Sequence, residues 1–327
     1  MDGIWLAGDS TAFRKALSLI DKLAQFDAPV LIEGETGTGK EMAARAIHYR
    51  GRRCEKPFVP VNCGAFPDAL IESELFGHVK GAFTDARSDH PGMVGIAAGG
   101  TLFLDEVDGL TTKGQVALLR FLQDCCYRPV GGRTERRADV RVIAASNAPL
   151  DRLTESGSFR LDLLFRLRIM SLLLPPLRDR EGDVMLLARL FLKRCHEEHG
   201  CPVRRLDEGS CEWFPRYCWP GNVRELQSLV YREALICDQD VLRLPAPDSL
   251  APEQEGHRDR ASTFDGTDFA TAKAKAVAQF ERSYLVRLMR QAQGNVTRAA
   301  RLAGKERRAL GKLLKKHGSG NCGSPSA

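Results

Sequence analysis

A lysine set behind spaced glycines, followed 65 residues later by two adjacent carboxylates, has the residue types and order for chemistry on a phosphate anhydride. The stretch Gly34, Glu35, Thr36, Gly37, Thr38, Gly39, Lys40, Glu41 lies between the apolar run Val30-Leu31-Ile32 and the periodic segment Met42 to Ile47. It reads as strand, glycine loop and helix. Glycines let successive backbone N–H groups face one anion, and the helix N-terminus adds the positive end of its dipole. Lys40 then reaches the terminal phosphates. A serine or threonine ordinarily follows this lysine as a magnesium ligand, and Glu41 stands there instead, so that part of the metal site differs. Thr101 to Leu104 is an apolar strand ending in Asp105 and Glu106. An acid there holds Mg²⁺ through water, and its neighbour polarises the attacking water. Together the two motifs predict ATP binding and hydrolysis.

Further polar residues end apolar runs where a parallel sheet holds its ligand, at the C-terminal edge. Asn62 closes Phe58 to Val61, and Asn147 closes Val140 to Ala145 in reach of a γ-phosphate, although asparagine is also a common turn residue. Arg160 and Arg166 lie six apart in the apolar stretch Phe159 to Leu167, read as one helix. That spacing separates them by about 240° around the axis, so one face cannot present both. A subunit boundary suits them, with a snorkelled surface pair as the alternative. Arg224 falls near the start of a helix read from Trp219 to Ile236, where a cation opposes the dipole and implies an anionic partner. The segment Glu74 to Ala86 carries glycine flanks and an aromatic, and reads as a projecting loop or an ordinary hairpin. Cys195, His196, His199, Cys201, Cys211 and Cys218 contain no paired C-x₂-C element, so thiols are expected there and no zinc site.

Alternating strand and helix patterns make these positions part of an α/β fold with a parallel sheet. An amphipathic helix is predicted over residues 11 to 25, another from Pro67 to Leu75, and a last strand over Ile169 to Leu174 before Pro175-Pro176. The chain then turns helical. Residues 245 to 268 mix prolines and glycines with charges, the composition of a linker. Beyond them a helix from Phe280 stops at Gly294-Asn295, a short one holds Ala299 to Ala303, and Gly304 turns into a basic third, Lys305 to Lys316, with Leu310, Leu313 and Leu314 inward. Two short helices about a glycine turn describe a helix-turn-helix.

Composition agrees with this division. From Phe269 onward 13 Lys and Arg face two acids, whereas the whole chain of 327 residues carries only +6, which leaves the rest mildly acidic. The basic end points to DNA. No run of about 18 apolar residues occurs, and a cytoplasmic protein with no membrane partner and ten free cysteines is expected.

Taken together, GETGTGKE, LFLDE, GAFTDA and the basic helix-turn-helix resemble the bacterial enhancer-binding proteins, AAA+ activators of sigma-54 RNA polymerase. The resemblance implies an AAA+ P-loop ATPase core at 1–175, a helical lid at 176–244, a linker at 245–268 and a Fis-type DNA-binding domain at 269–327. Glu41 is also the family's residue. By the same carry-over, Asp105 and Glu106 form the Walker B pair, Asn62 is a switch holding Glu106, and Asn147 sits in sensor I. Arg160 and Arg166 resemble fingers that act on a neighbouring subunit's ATP in a ring, expected to be a hexamer. Arg224 resembles the sensor II arginine of the lid. Gly81, Ala82, Phe83, Thr84, Asp85 and Ala86 match the loop that touches the sigma factor, except that the family has glycine at position 85. Position 85 is expected to need positive φ, which aspartate tolerates better than most residues, since Phe83 and Thr84 are intact; the alternative is a position lying flat against the sigma factor, where burying an unpaired carboxylate is costly. Arg298, Lys305, Arg307, Arg308 and Lys312 are the expected contacts to upstream DNA. Most relatives begin with a receiver or sensor domain, so control is expected from a separate regulatory protein, from expression level or from an upstream segment. A DNA-binding regulator that does not act through sigma-54 is the rival reading, favoured by Asp85.

Overall fold

Runs of consecutive apolar residues are what strands covered on both faces require, and here they build the centre of a five-stranded sheet, parallel throughout. Its strands are β1 (Val30–Glu33), β2 (Phe58–Asn62), β3 (Thr101–Asp105), β6 (Arg141–Ser146) and β7 (Met170–Leu173), in the order β2-β3-β6-β1-β7, while β4 (Cys126–Tyr127) and β5 (Arg136–Arg137) pair apart from it. The computed structural model describes residues 6–246 apart from 66, 68, 69, 203, 204 and 238, and then 281, 285, 288, 289, 292, 295–303 and 307–316. Two compact units divide at residues 252 and 253.

Side chains alternate across the sheet. Val30, Ile32, Phe103, Ile143 and Ala145 pack toward α1 (Thr11–Ala24) and α2 (Lys40–Tyr49). Leu31, Leu102, Leu104, Val142 and Ala144 pack on the other face with α3 (Ile71–Phe76), α4 (Gly92–Ile96), α5 (Thr112–Asp124), α6 (Leu150–Glu155) and α7 (Leu161–Leu167). The sheet edge nearest the phosphate loop therefore collects the residues that end β1, β2, β3 and β6.

Some expected boundaries move, among them three beside the candidate site residues or the loop. The helix expected from Pro67 begins at Ile71, with Leu70 as its N-cap. Arg160 is not inside a helix but is the extended N-cap of α7, so the angular argument linking it to Arg166 does not apply. The helix expected from Trp219 begins at Asn222, because Trp219 takes a φ of 48° and its indole is fully buried, donating to Phe214 O at 3.0 Å.

After the sheet, α8 (Asp183–His199), α9 (Glu208–Trp213) and α10 (Asn222–Ile236) enclose a second core around Phe191, Phe214, Trp219 and Val230. Asp183, fully buried, ties this bundle to the start of α1. It accepts from Asp9 N, Ser10 N and Ser10 Oγ at 2.6, 3.0 and 2.9 Å and pairs with Arg180 at 2.9 Å.

In the second unit Leu285, Leu288, Ala292, Ala299, Ala300 and Leu310 form a small core beneath the helices Val296–Leu302 and Arg307–Lys316. Asn295, expected to stop a helix, starts one here, its side chain accepting from Thr297 N and Arg298 N. The linker, Gly304 and Lys305 lie outside the described residues, as do the side chains of Leu313 and Leu314.

Candidate functional site: a phosphate loop facing a carboxylate pair

Gly37 and Gly39 hold φ of +80° and +99°, which lets the loop between β1 and α2 curl. A Cβ on Gly37 would collide with the carbonyl of Gly221, so the loop also needs glycine for the close approach of the lid. Thr38 Oγ1 braces the curl by donating to Glu35 O at 2.8 Å. Lys40 opens α2 and turns its buried ammonium back into the loop, donating to Gly34 O at 2.7 Å and Glu35 O at 3.0 Å. Its third bond, 2.7 Å, goes to Asn147 Oδ1. Burial holds the Lys40 pKa below the usual lysine value, although Asp105 and Asp108 oppose the shift.

Asn147 reaches Lys40 because β6 runs between β1 and β3. The same side chain donates from Nδ2 to Glu106 Oε1 at 3.3 Å, while Asn62 Nδ2 donates to Glu106 Oε2 at 3.2 Å. Asn62 is itself fixed by Gly64 N, which donates to its Oδ1 at 2.9 Å. Glu106 stands at φ 55°, a left-handed conformation that a residue with a side chain adopts at a cost. Asp105 Oδ1 accepts from the Glu106 N–H at 3.0 Å, and burial holds the Asp105 pKa above the ordinary carboxylate value. The site is electronegative underneath: burial, joined by Asp105, Asp108 and Glu106, pushes the Cys63 thiol up to about 12.

A cleft of about 210 Å³ lies between these groups, walled by Thr36, Gly37, Gly39, Lys40, Asp105, Glu106, Asn147 and, from the lid, Arg224. Glu41 also borders it, but its carboxylate is taken by Arg45 at 2.7 Å, four residues along α2. Asp105 is thus the carboxylate that fits a magnesium ion held through water, whereas Glu41 is neutralised locally.

Several residues that sequence reasoning left without a role complete the site. Asp108 accepts from Ser146 Oγ and Asn147 N at 3.1 and 3.2 Å, which fixes the end of β6. Asn222, fully buried at φ 51°, clasps lid to core: its Oδ1 accepts from Leu177 N at 2.7 Å, and its Nδ2 donates to Thr36 O at 3.0 Å and Glu35 Oε2 at 3.2 Å. Arg178 pairs with Glu35 at 2.8 Å and holds that carboxyl below its usual range. The signal available in the sequence was only that Asn222 follows a Pro-Gly pair at a helix start.

Other candidates lie elsewhere. Arg160 is exposed and forms a bidentate pair with Asp162 at 3.0 and 2.7 Å, and Arg166 is exposed on α7; neither lines the cleft. Beside them stand exposed Leu161 and Phe165. In the 81–86 loop, Gly81 carries the positive φ, +81°, with open space about it, while Asp85 has none. The expectation that Asp85 serves through a left-handed backbone is therefore corrected. Arg298, Arg307, Arg308 and Lys312 are exposed on the two C-terminal helices, and Lys305 lies outside the described residues. Cys195 and Cys201 bring their sulfurs to 3.3 Å, and among the described residues no cluster of three or more metal-ligating side chains forms. No helix among the described residues is long and apolar enough to cross a membrane.

A glycine loop and an acid pair on one sheet edge, separated by a strand that delivers a polar side chain between them and covered by a helical lid, define a P-loop ATPase of the AAA+ class. The sigma-54 interaction domain family matches residues 6–173, the AAA+ ATPase lid domain residues 178–263, and the Fis family of bacterial regulatory proteins residues 276–317. The chain belongs to the sigma-54-dependent AAA+ transcriptional activators. It is 41% identical over 316 residues to the response regulator protein PilR of Pseudomonas aeruginosa, covering 96% of this chain and 69% of that one. It is 40% identical over 341 residues to the DNA-binding transcriptional regulator NtrC of Rhizobium meliloti, covering 97% and 70%. Among solved structures, NtrX from Brucella abortus in complex with ADP superposes with a TM-score of 0.73 at 31% identity, over 97% of this chain and 70% of that one. The same protein in complex with ATP gives a TM-score of 0.72 at 31% identity, over 96% and 69%.

Proposed function

We propose that this protein hydrolyses ATP in a ring, most simply a hexamer, and spends the energy remodelling the closed complex of sigma-54 RNA polymerase from a site on upstream DNA. The observation that carries this reading is the placement of Glu106, held by Asn62 on one side and by Asn147 on the other. A base so held is available to orient water only when those bonds rearrange, which suits a cycle that couples hydrolysis to movement. In this reading Lys40 and the loop N–H groups bind the phosphates, Arg224 approaches them from the lid, and Glu106 orients the attacking water. Mg²⁺, when bound, neutralises charge on the phosphates, and Asp105 is the residue to hold it through water. Arg160 and Arg166, absent from their own cleft, serve the neighbour's site. Residues 81–86 face the sigma factor, and Arg298, Lys305, Arg307, Arg308 and Lys312 face DNA.

Transcription from a sigma-54 promoter, with purified polymerase and ATP, tests the whole reading. Open complexes should form with ATP and fail with a nonhydrolysable analogue. A protein that binds DNA and hydrolyses ATP yet opens no promoter would instead be a DNA-binding regulator working outside sigma-54. Assembly has its own test. Lys40→Ala and Arg166→Ala proteins, each inactive, should regain hydrolysis on mixing, where an intact Lys40 meets a neighbour's Arg166; such a finger contributes about 10³ to 10⁵ in rate.

A further inference from the structure

The loop carrying Phe83 rises from a backbone clip. His78 N donates to His90 O at 3.0 Å and His90 N to His78 O at 2.8 Å, while Val79 N donates to Val130 O at 3.1 Å and Val130 N to Gly77 O at 2.8 Å. Above the clip, Gly81 N donates to Ala86 O at 2.8 Å and Ala86 N to Phe83 O at 3.0 Å, closing the turn on itself. Ala82 rests over Gly131, and Ala86 is buried beneath the turn. The tip is held differently. Phe83, 37% exposed, sets its ring edge-on to the imidazole of His78, with centroids 4.9 Å apart and planes at 61°.

The imidazole is a firm rest. Its Nδ1 lies 2.9 Å from the hydroxyl of Ser73, a buried residue of α3, and its ring stacks on His90 with centroids 5.6 Å apart and planes at 13°. His90 is fixed in turn, its Nδ1 accepting from Gly92 N at 3.1 Å. His78 is therefore oriented from two sides, and the ring edge-on contact falls on the one aromatic of the loop.

We propose that His78 is a positioning residue for the sigma-factor contact: its ring holds Phe83 back against the body, and the loop presents Phe83 to its partner by breaking this contact. This rests on the reading of residues 81–86 as the polymerase-facing loop. An edge-on aromatic pair contributes a modest interaction, enough to bias a loop without locking it.

The test separates the ring from its hydrogen bond in the full-length protein. His78→Asn keeps a polar partner for Ser73 and removes the ring; His78→Phe keeps a ring and removes the partner. Hydrogen exchange at the Gly81 and Ala86 amides, whose bonds close the turn, reads loop opening. His78→Asn should speed exchange about two- to tenfold, the range of an aromatic pair, and His78→Phe should stay near wild type. In a Phe83→Ala background His78→Asn should add nothing further. Equal exchange in His78→Asn and wild type, or faster exchange in both variants, would overturn the rest. Binding to purified sigma-54 with an ATP transition-state analogue is the second arm. Tighter binding by His78→Asn completes the proposal, whereas no binding by either protein, with the exchange result intact, would overturn the sigma-factor part alone.

Discussion

Asn147 places its Oδ1 2.7 Å from Lys40 Nζ and its Nδ2 3.3 Å from Glu106 Oε1, so one side chain joins the cation of the glycine loop to the carboxylate that follows β3. Phosphate oxygens entering the cleft compete for the ammonium now shared by Gly34 O, Glu35 O and Asn147. Three substitutions should then behave differently. Lys40→Ala should lose nucleotide binding. Glu106→Ala should bind ATP and turn over slowly, because it removes a contribution made in the transition state. Asn147→Ala should bind ATP near normally and lose about 10²-fold in kcat, the scale of removing one preorganised donor. Steady-state ATPase assays with a fluorescent nucleotide titration measure all three, and an unchanged kcat in Asn147→Ala would remove it from the catalytic set.

Asp105 should trade stability for function. Burial raises its pKa in the folded protein above the unfolded value, so the folded form takes up a proton more readily. The ionised carboxylate therefore destabilises the fold above that folded pKa, and the penalty disappears below the unfolded pKa. Asp105→Asn retains an oxygen for the Glu106 N–H and removes the charge. At pH 7 it should raise the melting midpoint, by about 2–4 °C for each kcal/mol relieved, while abolishing hydrolysis. The gain over wild type should shrink as the pH is lowered through the carboxylate range. A lower midpoint at pH 7 would contradict the burial argument.

Asn222 should be a costly uncharged polar residue to lose between core and lid. Asn222→Ala leaves the N–H of Leu177 without its partner, a loss of about 1–3 kcal/mol. It also puts alanine at φ 51°, for a further 1–2 kcal/mol or so. Asn222→Gly avoids the backbone strain and should recover part of the loss. Chemical denaturation of both variants separates the two contributions, and equal stability of the alanine and glycine forms would show that the conformation carries no strain.

How far the sequence was legible follows from how local each signal is. Lys40, Asp105 and Glu106 were readable because a glycine loop before a helix and acids after an apolar strand are contiguous patterns, and the α/β fold followed from the same runs. Asn222 was not, since its role comes from a left-handed backbone and from Glu35, 187 residues away. Asp108 was missed for the same reason: it acts on Ser146 and Asn147 across the sheet edge. Arg160 was read as lying inside the helix because apolar spacing does not show where the first turn begins; it is the extended N-cap, and its guanidinium pairs with Asp162. Trp219 and Pro220 looked like a helix start, but burial of the indole governs the turn and delays the helix to Asn222.

Asp85 stands where the resemblance puts glycine, and the structure narrows what that difference does. Position 85 has no positive φ, and Gly81 supplies the left-handed residue instead, so glycine is not required at 85 to form the turn. Asp85 is exposed, and its carbonyl accepts from Arg87 N at 2.9 Å, an interaction any residue can make. The carboxylate therefore matters only at the contact itself. There it must either stay solvated or meet a cation, because burying an unpaired charge is costly. Thr84 is exposed at the tip, and Phe83, resting on His78, can leave that ring and reach a partner without burying Asp85. Wild type should thus bind sigma-54 in the presence of ATP trapped by an aluminium or beryllium fluoride analogue, and Thr84→Ala should not. Asp85→Gly should weaken binding about two- to fivefold, since glycine adds about 0.5–1 kcal/mol of disorder to be lost on docking. Asp85→Asn should bind like wild type. If Asp85→Gly and Asp85→Asn both bound far more tightly than wild type, the carboxylate would be opposing the contact, and the natural loop would have moved away from the sigma factor.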